Sequence, residues 1–483
     1  MKKINIITSI LLLAITVSSC NKLLDIKPVN SMIPVSISDY ESVLMGGYPK
    51  TDFFMKTDLM TDNVYANLSS TRTPEKANEP WFAWSETKQL DGVEEDPYWG
   101  QLYKSIYCAN TVLDEFASRT PSPAEKDLFE TVKGEAFALR AFSYFYLVNL
   151  YAEPYAPTTL KAHGVPMPLS AKDVHQNTQN NVREPVEKVW AQILSDLDAA
   201  TPLLAGKKTT NKFRFDATSL QLFKARVHLF MGDYEKAIAA ASDIIVAKPL
   251  FDMNNIQAIV DKADHPSYAF SGTFGFVDSD YKNEVLFYVG GKANGNIFYY
   301  GTYMFKPSLE LLALCQRPNK MDYRQYIFAS LMDTNTPEGF ETGTTIYNMY
   351  AKQENPSYYI GMKVSEAYVT RAEAYARLKQ KDKALTDINN LLQKRIKKTD
   401  YAPLKSADFN DEQLLQRVLE ERRVEMAFDG GMRWFDLRRL GKPALTHLYK
   451  NGVEYKLKQG DPRYLLQIPL SEQTNSPDMP LNP

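Results

Sequence analysis

The sequence predicts a mainly α-helical fold. Three observations predict it. Long stretches carry apolar residues at helical period, two of them share one spacing of small residues, and strand-like runs are brief. The chain has 483 residues with 56 basic and 58 acidic side chains. A net charge of −2 provides no basic field for nucleic acid.

Residues 1–19 read as a signal peptide. Lys2 and Lys3 form a basic start, and residues 4–17 are mostly apolar but too short to span a bilayer. Val17, Ser18 and Ser19 then lead to Cys20, in the manner of a bacterial lipobox. Cleavage before Cys20 and lipidation of its sulfur follow, so the chain is tethered to a membrane by acyl chains alone. A plain signal peptide is the alternative. Residues 20–36 hold two prolines and no periodicity, and read as a tether. A helix follows, with Ser38 as its cap.

Residues 50–97 are broken by Pro, Asn, Asp and Ser, and read as a long polar loop carrying Trp81, Phe82 and Trp84. Trp99 belongs to the next helix and to the core. Three helix pairs are expected after it, within residues 98–250 and 360–445. The first, around residues 128–155, is apolar nearly all round and deeply buried, with Arg140 paired to a carboxylate. In the second, Ala225, Gly232, Ala237 and Pro249 fall at tetratricopeptide offsets. In the third, Ala372 and Ala384 repeat that spacing, but Lys379 stands where Gly232 stood. His228 reads as an ordinary helix-surface or core histidine.

Residues 251–355 form a second loop-rich excursion. It contains a short strand around residues 284–289, then a glycine-rich turn and Phe298, Tyr299, Tyr300 and Tyr303. These rings cannot all face one core, so some should be exposed. Trp81, Trp84, Tyr299 and Tyr300, with Tyr65 as a further candidate, would suit a platform on which sugar rings stack. The alternative is that they are satellite-core residues under long loops.

Residues 410–440 join charge to aromatic bulk. Asn410 and Gln413 form a capping box, Gly430 and Gly431 stop the helix, and a second short helix follows. Arg422, Arg423, Glu425, Arg433, Asp436 and Arg438 read as a partly buried ion-pair network, in preference to an anion or carbohydrate site. Cys108 and Cys315 could pair, although the helical pattern around Cys108 favours a buried free thiol. An apolar strand is expected near residues 464–469. No motif calls for a cofactor, a metal or a catalytic group.

The run ERRVEMAFDGGMRWFDLRRLGK resembles the C-terminal signature of the SusD/RagB family. The lipobox, the LDIKP start and the Asn-Pro end agree with it. The resemblance implies a SusD-like fold, with tetratricopeptide-like helix pairs packed against an irregular, loop-rich ligand-facing half formed by residues 50–97 and 251–355. Residues 20–483 would be one such domain. It also implies an outer-membrane lipoprotein on the cell surface that captures oligosaccharides, or peptides, as the lid of a SusC-like TonB-dependent transporter. It carries over no ligand-binding residue by motif, and it implies no enzyme activity.

Overall fold

The computed structural model describes residues 33–49, 55–66, 78–90, 93–94, 96–175, 182–256, 284–289, 305–325, 329–331, 345–347 and 359–483. Its centre is one long helix. The stretch expected as the first helix pair is a single 26-residue helix, α3 (Lys126–Tyr151), whose second half is buried on every side. Its partners are separate: α2 (Trp99–Ser118) on one side and α4 (Val186–Leu204) on the other, with α1 (Ile37–Gly47) lying on α2. Arg140 makes the expected pair, donating through Nε and Nη2 to Asp196 of α4 at 2.9 and 2.6 Å. Helix α1 begins two residues earlier than expected. Ser36 rather than Ser38 is the cap, because Asp39 three residues on completes the reciprocal bonds.

The two tetratricopeptide-like pairs form as read. They are α5 (Ala217–Met231) with α6 (Tyr234–Ala247), and α8 (Val364–Arg377) with α9 (Lys381–Gln393). The short α7 (Leu309–Cys315) falls between them in sequence. Helix α6 packs on α8, so two pairs far apart in sequence become neighbours in one stack. Gly232 takes φ +76 at the first turn, and Lys379 takes φ +57 at the second. The lysine accepts the left-handed conformation that glycine adopts freely.

Helix α10 (Asp411–Glu425) opens on the expected Asn410–Gln413 capping box and packs on α8. It ends before the apolar pattern does. Residues 426–431 turn through three left-handed positions, Phe428, Gly430 and Gly431, into α11 (Met432–Arg439). The expected C-terminal strand is instead an irregular run tied to α3, with Leu466 N–H donating to Leu150 O at 2.9 Å. Its apolar residues fill a groove rather than a ladder. Beyond it, after the short helix Leu470–Asn475, Arg183 holds the following residues through Pro480 O and Asn482 Oδ1, both at 2.9 Å.

The strands pair two by two, all antiparallel: β1 (Val64–Ala66) with β5 (Phe305–Pro307), β2 (Gln89–Leu90) with β3 (Val93–Glu94), and β4 (Val285–Val289) with β8 (Tyr359–Lys363). The other two pairs are β6 (Ala329–Leu331) with β7 (Thr345–Tyr347), and β9 (Leu445–Leu448) with β10 (Glu454–Leu457). Strand β4 is the one expected from sequence. Among the described residues a large apolar core runs from Ile37 to Met479, with one smaller cluster between α8, α9 and α10 and another where α5, α6 and α8 meet. Trp99 is part of that core. Cys108 and Cys315 are both buried free thiols.

Candidate functional site

The charged run of α10 and α11 forms a buried network. Glu425 receives Arg395 at 3.0 Å, Arg324 at 3.4 Å and Lys363 at 3.6 Å. Arg422 reaches Asp436 at 2.9 Å, and Arg439 bridges Asp436 and Glu373 at 2.7 and 2.6 Å. Burial raises the carboxyl pKa values of Glu373 and Glu421, but the surrounding guanidinium charges outweigh it and push both down to about 2. Arg438 departs from expectation, for it pairs with no carboxylate among the described residues. Its Nη2 donates to Ala152 O, while Nε and Nη1 have no partner. The nearby Glu153 is taken by Lys442. Burial pushes Arg438 down to about 10.

Two arginines of this network reach out to the turn before β1. Arg433 donates to both carboxylate oxygens of Asp62 at 2.8 and 2.7 Å. Arg423 donates to Asn63 Oδ1 and Asp62 O, each at 2.8 Å. Burial raises the Asp62 pKa, but these two arginines pull it below the usual carboxylate value. Ser308, the cap of α7, binds the same turn through Asp62 O and Asn63 O, both at 2.7 Å. The β1–β5 ladder is therefore fixed from beneath.

Tyr65 lies in the middle of that ladder, half-buried, with Lys306 as its register partner. The ladder ends at the pair Ala66 and Phe305. From Ala66 the chain continues into residues 67–77, and into Phe305 it arrives from residues 290–304. Tyr299 and Tyr300 lie outside the described residues, as do Cys20, Phe298 and Tyr303.

Trp81 and Trp84 are not platform rings, since both are 0% exposed. Trp81 meets Tyr98 edge-on at 5.4 Å and lies 5.3 Å beneath the Lys88 ammonium. Trp84, at φ +52, donates its indole N–H to Met60 O at 2.9 Å. Its ring stacks on His447 at 4.0 Å, and Phe82 covers the other face of that imidazole at 4.1 Å. Glu79 accepts from the hydroxyls of Tyr449 and Tyr455 at 3.1 and 2.7 Å. The loop is therefore nailed to hairpin β9–β10. A polar segment with almost no regular structure has few apolar groups to bury, and its tryptophans serve as anchors.

Sequence reasoning missed Asp62, Glu79, Lys88 and His447. Around His447 the run Leu445-Thr446-His447-Leu448 does not alternate, so it carries no local signal. Two cavities complete the picture. One of about 240 Å³ is lined by Met45, Tyr48, Pro49, Asn211, Phe213, Phe287 and Tyr288, next to the end of β4. The other holds about 20 Å³, room for one water, between Lys88, Asp96, Gln467 and Gln473. Burial pushes the Lys88 ammonium there down to about 7. Among the described residues, no group of three His, Cys, Asp or Glu side chains is placed to hold a metal. No helix among them is long and apolar enough to cross a membrane.

Comparison with known proteins agrees with this architecture. Residues 22–229 match a family model described as starch-binding associating with outer membrane, and residues 227–483 match the model of the SusD family. The chain is 25% identical to SusD-like protein P2 of Formosa agariphila, over 100% of both chains. A SusD superfamily protein of Bacteroides thetaiotaomicron superposes with a TM-score of 0.71 at 22% identity, covering 93% of this chain and 100% of that one. A SusD-like carbohydrate binding protein of Bacteroides vulgatus superposes with a TM-score of 0.66 at 18% identity, over 92% and 97%. With its second half matched through the last residue and its fold shared over nearly its whole length, the chain belongs to the SusD family.

Proposed function

We propose that this protein is a surface lipoprotein of the outer membrane that captures oligosaccharides and passes them to a SusC-like TonB-dependent transporter, which it covers as a lid. Cys20 is its lipid anchor, and binding rather than catalysis is its task. Family membership supports the role, together with the names of its relatives. The observation that carries the location is the pairing of Ala66 with Phe305. It roots residues 67–77 and the segment bearing Tyr299 and Tyr300 at one end of the ladder that holds Tyr65. A tyrosine ring offers an apolar face to sugar C–H groups and a hydroxyl to sugar oxygens.

Peptide capture is the second reading. The burial of Trp81 and Trp84 favours keeping it, since the loop tryptophans that best suit a sugar platform are absent from the surface. Calorimetric titration of residues 21–483 against pooled oligosaccharides and, separately, pooled peptides distinguishes the two. The sugar reading expects heat from oligosaccharides alone, reduced at least tenfold in affinity when Tyr65, Tyr299 and Tyr300 become Ala. That factor corresponds to about 1.4 kcal/mol. Peptide-only heat would replace the substrate class, and undiminished sugar binding by the triple variant would move the site.

A further inference from the structure

His447 sits in surroundings that a neutral imidazole does not satisfy. Its Nδ1 lies 2.8 Å from Phe82 O, and its Nε2 lies 3.0 Å from Thr61 O. Both neighbours are backbone carbonyls, which only accept. A neutral ring carries one N–H. Its other nitrogen would then point a lone pair at a carbonyl lone pair from hydrogen-bond distance. The imidazolium carries two N–H groups and donates to both carbonyls, in bonds strengthened by its charge.

The ring faces favour the same state. Phe82 and Trp84 enclose the imidazole nearly parallel, at interplanar angles of 18° and 25°. An aromatic face is negative and attracts a cation, most strongly where water is excluded. His447 is only 4% exposed.

The charged and titratable neighbours divide. On the turn before β1, Asp62 attracts a positive His447, but Arg433 and Arg423 share that carboxylate and weaken the pull. On the short helix Glu79–Phe82, Glu79 is held by two tyrosine hydroxyls. On β10, Tyr455 is the ladder partner of His447, and burial followed by the Glu79 contact pushes its phenol up to about 12. Just after β9, burial and then Glu79 raise Tyr449 as well. Burial of the imidazole is the opposing force. It pushes His447 down to about 4 against the pull of both carbonyls and Asp62. The ring sandwich and the absence of any second donor-accepting arrangement act the other way.

We propose that His447 is a buried imidazolium at neutral pH, a charged clasp joining the turn before β1 and the Glu79–Phe82 helix to hairpin β9–β10. It is a positioning residue: Thr61 precedes Tyr65 by four residues, so the clasp sets the base of the β1–β5 ladder whichever ligand that ladder serves. The sign of its pH dependence follows. An imidazolium that persists at neutral pH requires a folded pKa above the ordinary value of about 6.5. The stabilisation is therefore complete below about pH 6.5 and is lost as pH rises through the folded value. Above that value one carbonyl loses its donor, and one side of the clasp opens.

The test is nitrogen NMR of the purified chain with labelled histidine, which is tractable because there are only five. The expected result at pH 7 is an N–H on both His447 nitrogens, with a midpoint shifted upward from about 6.5. One protonated and one bare nitrogen at pH 7 would overturn the proposal. His447→Gln identifies the signal. If that variant does not fold, Gln substitution of His163, His175, His228 and His265 identifies it by elimination. Stability gives an independent reading, since glutamine has no proton to lose. The wild-type advantage over His447→Gln should shrink between pH 6.5 and 9, and a constant advantage would also overturn the proposal.

Discussion

The α10–α11 network and the described residues 59–66 and 78–84 are both largely buried, and they are held by opposite means. In the first, charge answers charge: Glu425, at the end of α10, meets Arg395 just after α9, Arg324 in a turn beyond α7 and Lys363 at the end of β8. In the second, rings and carbonyls hold short elements: Trp84, Phe82 and His447 stack, and backbone oxygens receive the polar atoms. The contrast separates scaffold from site. The scaffold uses ion pairs to fix the register of helices that would form anyway. The site's support adds aromatic anchors because its own strand, Val64–Ala66, and helix, Glu79–Phe82, are only three and four residues long. Arg423 and Arg433, gripping Asp62 and Asn63, are where the two regions meet.

The largest effect should come from breaking the charged region. Glu425→Ala leaves Arg395 and Lys363 buried beside a missing carboxylate, at a cost of about 3–5 kcal/mol. Urea denaturation should show the loss for the whole molecule, and a change below about 1 kcal/mol would mean that the network does not hold the scaffold. Trp84→Ala comes next, at about 3 kcal/mol for an emptied indole site. Its effect should be local, with faster hydrogen exchange in residues 59–66 and 445–457 but not in α8–α10. Acceleration spread evenly over both regions would erase the contrast.

Acid sharpens the comparison further. The folded pKa values of Glu373 and Glu421 are depressed to about 2. Their stabilisation is therefore present above the unfolded value of about 4.3 and lost as pH falls toward 2. The urea midpoint should drop across that window, and Glu421→Gln should flatten part of the drop. The smallest effect belongs to Arg438→Met. An arginine with two unpartnered donors contributes little beyond its stem, so the change should stay within about 1 kcal/mol of neutral. A loss as large as that of Glu425→Ala would reveal a partner for Arg438 that the geometry does not contain.

The helices were legible because each carries its own period, and the Ala225–Ala237 and Ala372–Ala384 spacing gave the stacked pairs even though Lys379 replaced the turn glycine. The network was legible because its residues are dense in sequence. Arg438 was misplaced among them because sequence shows that a charge is present but not who reaches it. For Trp81 and Trp84 the sequence leaves two readings, platform rings on a polar loop or satellite-core residues beneath it, and their burial agrees with the second. Their burial depends on a hairpin more than 350 residues later, which no local pattern announces. The run at residues 464–469 looked like a strand because a groove-filling extended segment and a ladder have the same apolar pattern.

Hydrogen exchange with an oligosaccharide retained in the titration tests the location of the site most directly. Bound sugar should slow exchange in residues 59–66 and 305–307, the ladder that carries Tyr65, while the α10–α11 network stays unchanged. Protection confined to the cavity lined by Met45, Phe213 and Tyr288, with the ladder unaffected, would contradict the account.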